Sequence, residues 1–369
     1  MNDLIINKFI EQALIEDIGL CDHSTFKIFE NKTLKSNIKL KSDEAILCGI
    51  DIAEKVFLFL NQNLKIDKLK NDGDLIKKDD IILEIKGDAK SILLGERVAL
   101  NLLSYLSGIS TKAYKIKNFW LSLINLYEII IDNLNYFLSS KEDFNFIKFI
   151  NYLKLENKNK IEDINDNLKN FLYNNEIVDF IKEIIDLYKI KKQNINYLKN
   201  IKKILENIRI VDTRKILPLY RPFVKYAVRI GGLYNHRYNL SDGIMLKENH
   251  IKAFGSIKKA IKSLKENSPL LLKIECEVEN FNEFLESYEG KADVIMLDEF
   301  SEEDYKKVAD FLKTNNKNFL LEISGNIDYN KLISITKIII KTGLNLDIIS
   351  IGSNLTLNVN IADFSMKYI

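Results

Sequence analysis

The sequence predicts an α/β fold in which strands and helices alternate around a parallel sheet, open or closed as a barrel. Three observations carry this. After residue 207, short apolar runs ending in polar groups are followed by helical patterns: IRIVDTRK, SDGIMLKENH, LLLKIECEVE, DVIMLDEF, FLLEISGN and LDIISIGSN. From 36 to 93, shorter alternating stretches (SNIKLKSD, AILCGI, LKIDKLK, IILEIKG) are separated by Asp-Gly and Gly-Asp breaks, which marks a second strand-rich region. Between them, residues 120–207 contain neither Gly nor Pro and are crowded with Asn, Lys, Ile and Leu. That segment reads as an inserted helical lobe or as disorder, with no chemistry of its own.

The remaining elements follow in order. Residues 3–17 predict an amphipathic helix, with Leu4, Phe9, Ile10, Ala13 and Leu14 at helical spacing. DIAEKVFLFLNQN, at 51–63, is an apolar helix inside the first strand region. A second begins near Gly95 with ERVALNLLSYLSGISTKAYKIKNF, placing Arg97, Asn101, Ser104 and Gly108 on one face. FIKEIIDLY and YLKNIKKILENI give the inserted segment its helical periodicity.

Composition excludes several function classes. A length of 369 residues suits one large core or two ordinary ones. A formal net charge of +2 lacks the broad basic excess of a nucleic-acid or membrane-surface binder. Cys21, Cys48 and Cys276 lie far apart, with neither zinc spacing nor a disulfide framework, which suits a reducing compartment. The N-terminal MNDLIINKFIEQALIEDIG has acids where a signal peptide needs an apolar core. No uninterrupted apolar run approaches the roughly 18 residues a bilayer span needs. The expectation is a cytoplasmic protein.

In parallel α/β sheets the site lies at the carboxyl ends of the strands. Those ends are Thr213, Arg214 and Lys215, then Lys247, Glu277 and Asp298, then Ser324–Gly325–Asn326 and Gly352–Ser353. The expectation is one mouth lined by cations, carboxylates and two small-residue turns. SGN and GSN let backbone N–H groups approach a phosphate, though Ser-Gly-Asn is also ordinary turn chemistry. Strand alternation puts Glu275, Glu277 and Glu279 on one face, unless one or two turn to solvent. Asp298 and Lys247 each close an apolar strand, where a charge points to function. Lys247 with Glu277 and Asp298 suits either a polyanion bound with its metal or a positioned reacting centre. RIVDTRKILPLYRPFVKYAVRIGGLYNHR, residues 209–237, adds Arg221, Lys225, Arg229, His236 and Arg237 against one acid, Asp212. Arg forks grip carboxylates and phosphates in pairs. For Lys225 and Arg229, a solvated helix charge is an equal reading. His250 reads as a brace at a helix start, and Trp120 as packing.

EDIGLCDHST, ERVALNLLSYLSGIST, DTRKILPLYRPFVKYAVRIGGLYNHR, LSDGIMLKENH, IECEVE, IMLDEF, LEISGNI and ISIGSNLT resemble, in order, the motifs of the quinolinate phosphoribosyltransferase family. The resemblance covers nearly all of the chain except 120–207. It implies an N-terminal α/β sandwich domain, residues 1–112 joined by 355–369, and an open α/β barrel with parallel strands, residues 113–354, carrying the helical insertion. It implies a homodimer or higher oligomer converting quinolinate and phosphoribosyl pyrophosphate, with Mg²⁺, to nicotinate mononucleotide, pyrophosphate and CO₂. By motif, Arg214, His236 and Arg237 resemble the grip on the quinolinate carboxylates, with Thr213 and Lys215 beside them. Arg97 is similar to an arginine donated across the dimer. Lys247 resembles a lysine contacting both substrates. Glu277 and Asp298 resemble the carboxylates that meet ribose and metal, and Ser324, Gly325, Asn326, Gly352 and Ser353 the phosphate loops. Four places depart from the family pattern. Leu219 replaces a turn glycine, SGNI stands for SGGI, LDE for LDN, and GSNLTLN for GxLTHS. A relative of the type linked to molybdate transport, or a degenerate scaffold, are the alternatives. The intact Arg97, Arg214, His236 and Arg237 argue against the first, and the survival of Lys247, Glu277 and Asp298 against the second.

Overall fold

A computed structural model of the protein describes residues 2–29, 32–139, 175–190 and 195–369. The chain divides into two compact units, one of residues 1–115, 214–238 and 353–369, the other of residues 116–213 and 239–352.

The first unit is built on an antiparallel sheet. Its strands are β1 (Thr33–Leu40), β3 (Lys65–Lys68), β5 (Ile81–Asp88) and β12 (Phe364–Tyr368), in the order β12-β1-β5-β3. β1 alternates as the pleat demands, burying Ser36, Ile38 and Leu40. Its outer neighbour comes from far along the chain: Leu40 faces Phe364 and Ser36 faces Tyr368. A smaller ladder pairs β2 (Glu44–Ile46) with β4 (Leu75–Lys77). Helix α1 (Asp3–Ile18) starts on the Asn2 cap and buries Ile6, Ile10 and Leu14. The short α2 (Thr25–Ile28) follows, and α3 (Ile50–Leu60) buries Ile50, Ile52, Ala53, Val56 and Phe57.

Helix α4 (Ala89–Ser139) runs from the first unit into the second. Asp88 opens it by accepting from both the N–H and the hydroxyl of Ser91. Its SGIST stretch solves a backbone problem left by β2. Thr111 Oγ1 accepts from Ile46 N–H at 2.8 Å, Ser110 Oγ donates to Ile46 C=O at 2.7 Å, and Ser107 Oγ accepts from Cys48 N–H at 3.0 Å. Three hydroxyls thus satisfy main-chain groups that no strand pairs. Among the described residues one stretch, Ala89–Asn133, is long and apolar enough to cross a membrane, and 61% of its most apolar part is buried. Polar residues interrupt that stretch, which is why a search for unbroken runs passes over it.

The second unit carries a six-stranded parallel sheet: β6 (Arg209–Val211), β7 (Ile244–Leu246), β8 (Ile274–Val278), β9 (Val294–Asp298), β10 (Leu320–Ser324) and β11 (Ile348–Ser350). The order β6-β11-β10-β9-β8-β7 leaves β6 and β7 at opposite edges, as an open α/β barrel requires. Helices α8 (Glu248–Phe254), α9 (Ile257–Asn267), α10 (Phe281–Glu289), α11 (Glu302–Thr314) and α12 (Tyr329–Thr342) form the crossovers. Ser256, Asn280, Ser301 and Asp328 cap four of them, each accepting from the N–H three residues on.

Within the insertion, α5 (Asn175–Ile190) and α6 (Ile195–Asn207) are helices, and its stretch 140–174 lies outside the described residues. Both pack on the outer layer of their unit. Lys341 of α12 lies 3.1 Å from Glu183, and Tyr197 donates to Ile340 C=O at 3.2 Å. Trp120 is buried and donates its indole N–H to Leu205 C=O at 3.3 Å, so it packs and also closes the C-terminal turn of α6.

In the first unit, α7 (Arg221–Ile230) begins with Pro222 in its first turn and ends at Gly231. A Cβ at Gly231 would sit 2.4 Å from both Ala113 Cβ and Ser110 O. Only a bare backbone lets α7 approach α4 this closely. Gly231→Ala is therefore expected to cost about 1–3 kcal/mol of stability. A lowered thermal midpoint, followed by circular dichroism, is the readout.

Candidate active site

The strand ends named from the sequence divide between the two units. In the second unit, Lys247 follows β7. Its N–H donates to His250 Nδ1 at 3.1 Å, so His250 does brace the start of α8. Lys247 Nζ reaches Glu277 Oε2, on the neighbouring strand, at 2.6 Å. The Glu277 side chain is 16% exposed and that of Lys247 is 48% exposed, so water screens the pair mainly from the lysine side.

Along β8 the three glutamates separate. Glu275 is buried, Glu277 half-buried and Glu279 exposed. Cys276 between them is a core residue, its thiol pushed up to about 12 by burial, and is no nucleophile. Asp298 ends β9 half-buried, in register with Ser324 of β10. Tyr305 of α11 lies within its field: burial first, then the Asp298 charge, raises the phenol. Glu322, fully buried in the apolar LLEIS strand, escapes the strand-end reading because it sits two residues short of the end. An acid inside an otherwise apolar strand was the signal available.

The cations of the other set belong to the first unit. Arg214 is half-buried and its Nε, closed off from solvent, has no hydrogen-bond partner among the described residues. Lys215 is exposed, and its C=O accepts from Thr356 Oγ1 at 2.5 Å. Tyr105 OH in turn donates to Thr356 C=O at 2.9 Å, pinning the 213–220 loop through α13 (Ser353–Thr356) to α4. Tyr220 packs edge-on against Phe9 and Tyr105. His236 and Arg237 are half-buried, and the Arg237 N–H donates to His236 Nδ1 at 2.8 Å. Arg97 and Asn101 lie exposed on α4, where the spacing predicts one face, while Gly108 is buried. Arg229 is exposed, as a solvated charge should be, but Lys225 is completely buried. For Lys225 the solvated reading is wrong: helical periodicity alone does not show that this side of α7 faces inward.

Two family models match the chain: "Quinolinate phosphoribosyl transferase, N-terminal domain" over residues 22–107 and the C-terminal domain of the same family over residues 190–367. The chain belongs to the quinolinate phosphoribosyl transferase family. A probable nicotinate-nucleotide pyrophosphorylase [carboxylating] of Methanocaldococcus jannaschii is 31% identical, over 98% of this chain and 96% of the relative. One of Bacillus subtilis is 30% identical, over 99% and 94%. Among solved structures, NadC from Streptococcus pyogenes matches with a TM-score of 0.67 at 29% identity, covering 100% of this chain and 99% of the other. The nicotinate-nucleotide pyrophosphorylase from Francisella tularensis matches with a TM-score of 0.67 at 27% identity, covering 100% and 98%.

Against the quinolinate phosphoribosyl transferase pattern, three of this chain's departures share one property. Leu219, Glu299 and Asn326 all have left-handed backbone, with φ of 68°, 51° and 45°. This is backbone that glycine adopts at the least cost. Two departures also meet: Asn326 Nδ2 donates to Glu299 Oε1 at 2.7 Å. Gly325 between them admits no side chain, because a Cβ there would lie 2.5 Å from Glu299 Cγ and 3.3 Å from Asp298 Oδ1. Asn tolerates this conformation, whereas Leu adopts it only at a cost of roughly 1–2 kcal/mol. Leu219 is 73% exposed and gains no burial in exchange. Restoring glycine with Leu219→Gly is expected to stabilise the protein by up to about 1 kcal/mol, the left-handed strain outweighing the entropy glycine adds to the unfolded chain. A raised unfolding midpoint checks it.

Proposed function

We propose that this protein transfers the phosphoribosyl group of phosphoribosyl pyrophosphate to quinolinate with decarboxylation, forming nicotinate mononucleotide, pyrophosphate and CO₂ for NAD biosynthesis. The observation that carries this reading is the ordered series Arg214–Lys215, His236–Arg237, Lys247, Glu277 and Asp298, intact in a chain of this family.

Quinolinate is a dianion, and its grip falls to Arg214, His236 and Arg237, with Thr213 and Lys215 beside them. The buried Arg214 Nε without a partner suits a carboxylate supplied by substrate. Glu277 and Asp298 accept from the ribose hydroxyls and steady positive charge at C1. Ser324–Asn326 and Gly352–Ser353 offer main-chain N–H groups to phosphate. The C1–O bond breaks with its electron pair leaving on pyrophosphate, and the pyridine nitrogen lone pair then bonds to C1. The electron pair of the C2–carboxylate bond next stays on C2 as a carbanion, stabilised by the positive charge on the adjacent ring nitrogen. CO₂ leaves and a proton from solvent takes its place. No covalent enzyme intermediate is required, and the protein contributes position and field.

Glu277 and Asp298 are hard oxygen donors, but Lys247 already engages one Glu277 oxygen. That suits Mg²⁺ held by one or two carboxylates together with substrate phosphates, and not a cage made of protein alone. Bound there, the ion would neutralise charge on the departing pyrophosphate. The exposed Arg97 is proposed to reach the site of a second subunit in a homodimer.

Purified protein is expected to form nicotinate mononucleotide only with quinolinate, phosphoribosyl pyrophosphate and Mg²⁺ together. Turnover of another aromatic acid but not quinolinate, or no turnover at all, would overturn the reading. Lys247→Ala is expected to lower kcat/KM by roughly a hundredfold, as for loss of one charge-stabilising donor. Unchanged kinetics would remove Lys247 from the site. Arg97→Ala and His236→Ala, each inactive alone, should recover about a quarter of wild-type activity when unfolded and refolded together, since half the dimers then carry one intact site. No recovery would place Arg97 in its own subunit's site or nowhere near one.

A further inference from the structure

Lys225 is closed off from solvent entirely, on a helix that also buries Phe223, Val224, Ala227 and Val228. An ammonium withdrawn from water is costly, and an unbranched apolar side chain would fill the same space without that cost. Packing therefore does not explain a lysine here, and its contacts do. Lys225 Nζ donates to the main-chain carbonyl of His236 at 2.9 Å. It lies 5.4 Å from the centre of the Tyr238 ring, within cation–π range. In the opposite direction, Asn235 Nδ2 donates to the Lys225 carbonyl at 3.0 Å. Residues 235, 236 and 238 are thus all tied to one helical residue, and Arg237 stands among them. The Arg237 N–H, donating to His236 Nδ1, then leaves the proton of a neutral imidazole on Nε2.

We infer that Lys225 is the positioning residue of quinolinate capture. Its buried ammonium fixes the main chain of 235–238, so that His236 and Arg237 hold their donors at a set spacing before a pyridine dicarboxylate arrives. The inference rests on the role proposed above for His236 and Arg237. A loop anchored only by its ends samples many conformers, and the ligand that orders it loses affinity in doing so. A charge-assisted hydrogen bond from a group that water cannot reach removes that freedom in advance. Lys225 touches neither substrate in this arrangement and acts through the His236 carbonyl. The carboxylate grip is made in the ground state and kept in the transition state. Its loss therefore appears in binding more than in turnover.

The test is steady-state kinetics of Lys225→Met with both substrates varied. The KM for quinolinate is expected to rise roughly tenfold or more, as for small misplacements of a binding group. The KM for phosphoribosyl pyrophosphate, and kcat at saturating quinolinate, are expected to stay near wild type. A folded variant with unchanged quinolinate KM overturns the inference. So does one in which both KM values and kcat deteriorate together, the mark of general distortion. Should Lys225→Met not fold, Asn235→Ala decides. It removes the reverse tie and leaves the ammonium in place, and it must show the same split in smaller measure or the inference falls. Wild-type protein that neither binds nor converts quinolinate overturns the proposed function as well. Active wild type with no split in the variants overturns only the role of Lys225.

Discussion

Lys225 donating to the His236 carbonyl is one case of a constraint that shapes both units of this protein: charge held away from water has to be answered nearby. Asp212, Glu275 and Glu322 are buried as completely as Lys225 or nearly so. Each such group costs several kcal/mol of desolvation before its partners are counted. Around Lys225 the segments cannot drift freely, because a shift loses the hydrogen bond to the His236 carbonyl with no water to replace it. Three of these residues lie on or beside parallel strands, and Lys225 lies on the helix leading to the Asn-His-Arg loop. The rigidity this imposes is suited to substrates that are themselves multiply charged and must be held at fixed separation.

Much of this architecture was legible in the sequence because its periods are simple. Alternating strand and helix patterns after 207 located the parallel strands, and the polar residue closing each apolar run located its carboxyl end. The Gly- and Pro-free composition left helix or disorder for the insertion, and the apolar periodicity of FIKEIIDLY and YLKNIKKILENI pointed to the helices α5 and α6. What escaped depends on which way a helix faces. VKYAV has no period that separates an inward Lys225 from an outward one, since its neighbours are apolar on both sides. Glu322 escaped because attention to strand ends looks past a charge in the middle. The pairing of Ser107, Ser110 and Thr111 with the chain leaving β2 also joins distant segments, which no local pattern reports.

Three departures from the family pattern in this chain sit on left-handed backbone. Left-handed positions favour glycine or asparagine, and at two of these altered turns the chain has Leu219 and Glu299 instead. Glu299 gains a partner in Asn326, itself a departure on the adjoining strand end. The two changes make sense together: a carboxylate beside a loop proposed for phosphate is restrained by the amide next to it. Leu219 has no such compensation, and nothing in the structure explains it.

The pairing of β12 with β1 has a bearing on synthesis. Residue 40 waits for residue 364 before its ladder is complete. While the ribosome is still making everything between, the nascent β1 presents a row of bare amides and carbonyls on its outer side, open to any strand that comes by. A slow or crowded translation would lengthen that interval, so the yield of soluble protein from a cell should depend on how quickly the chain is finished as well as on how stable it becomes.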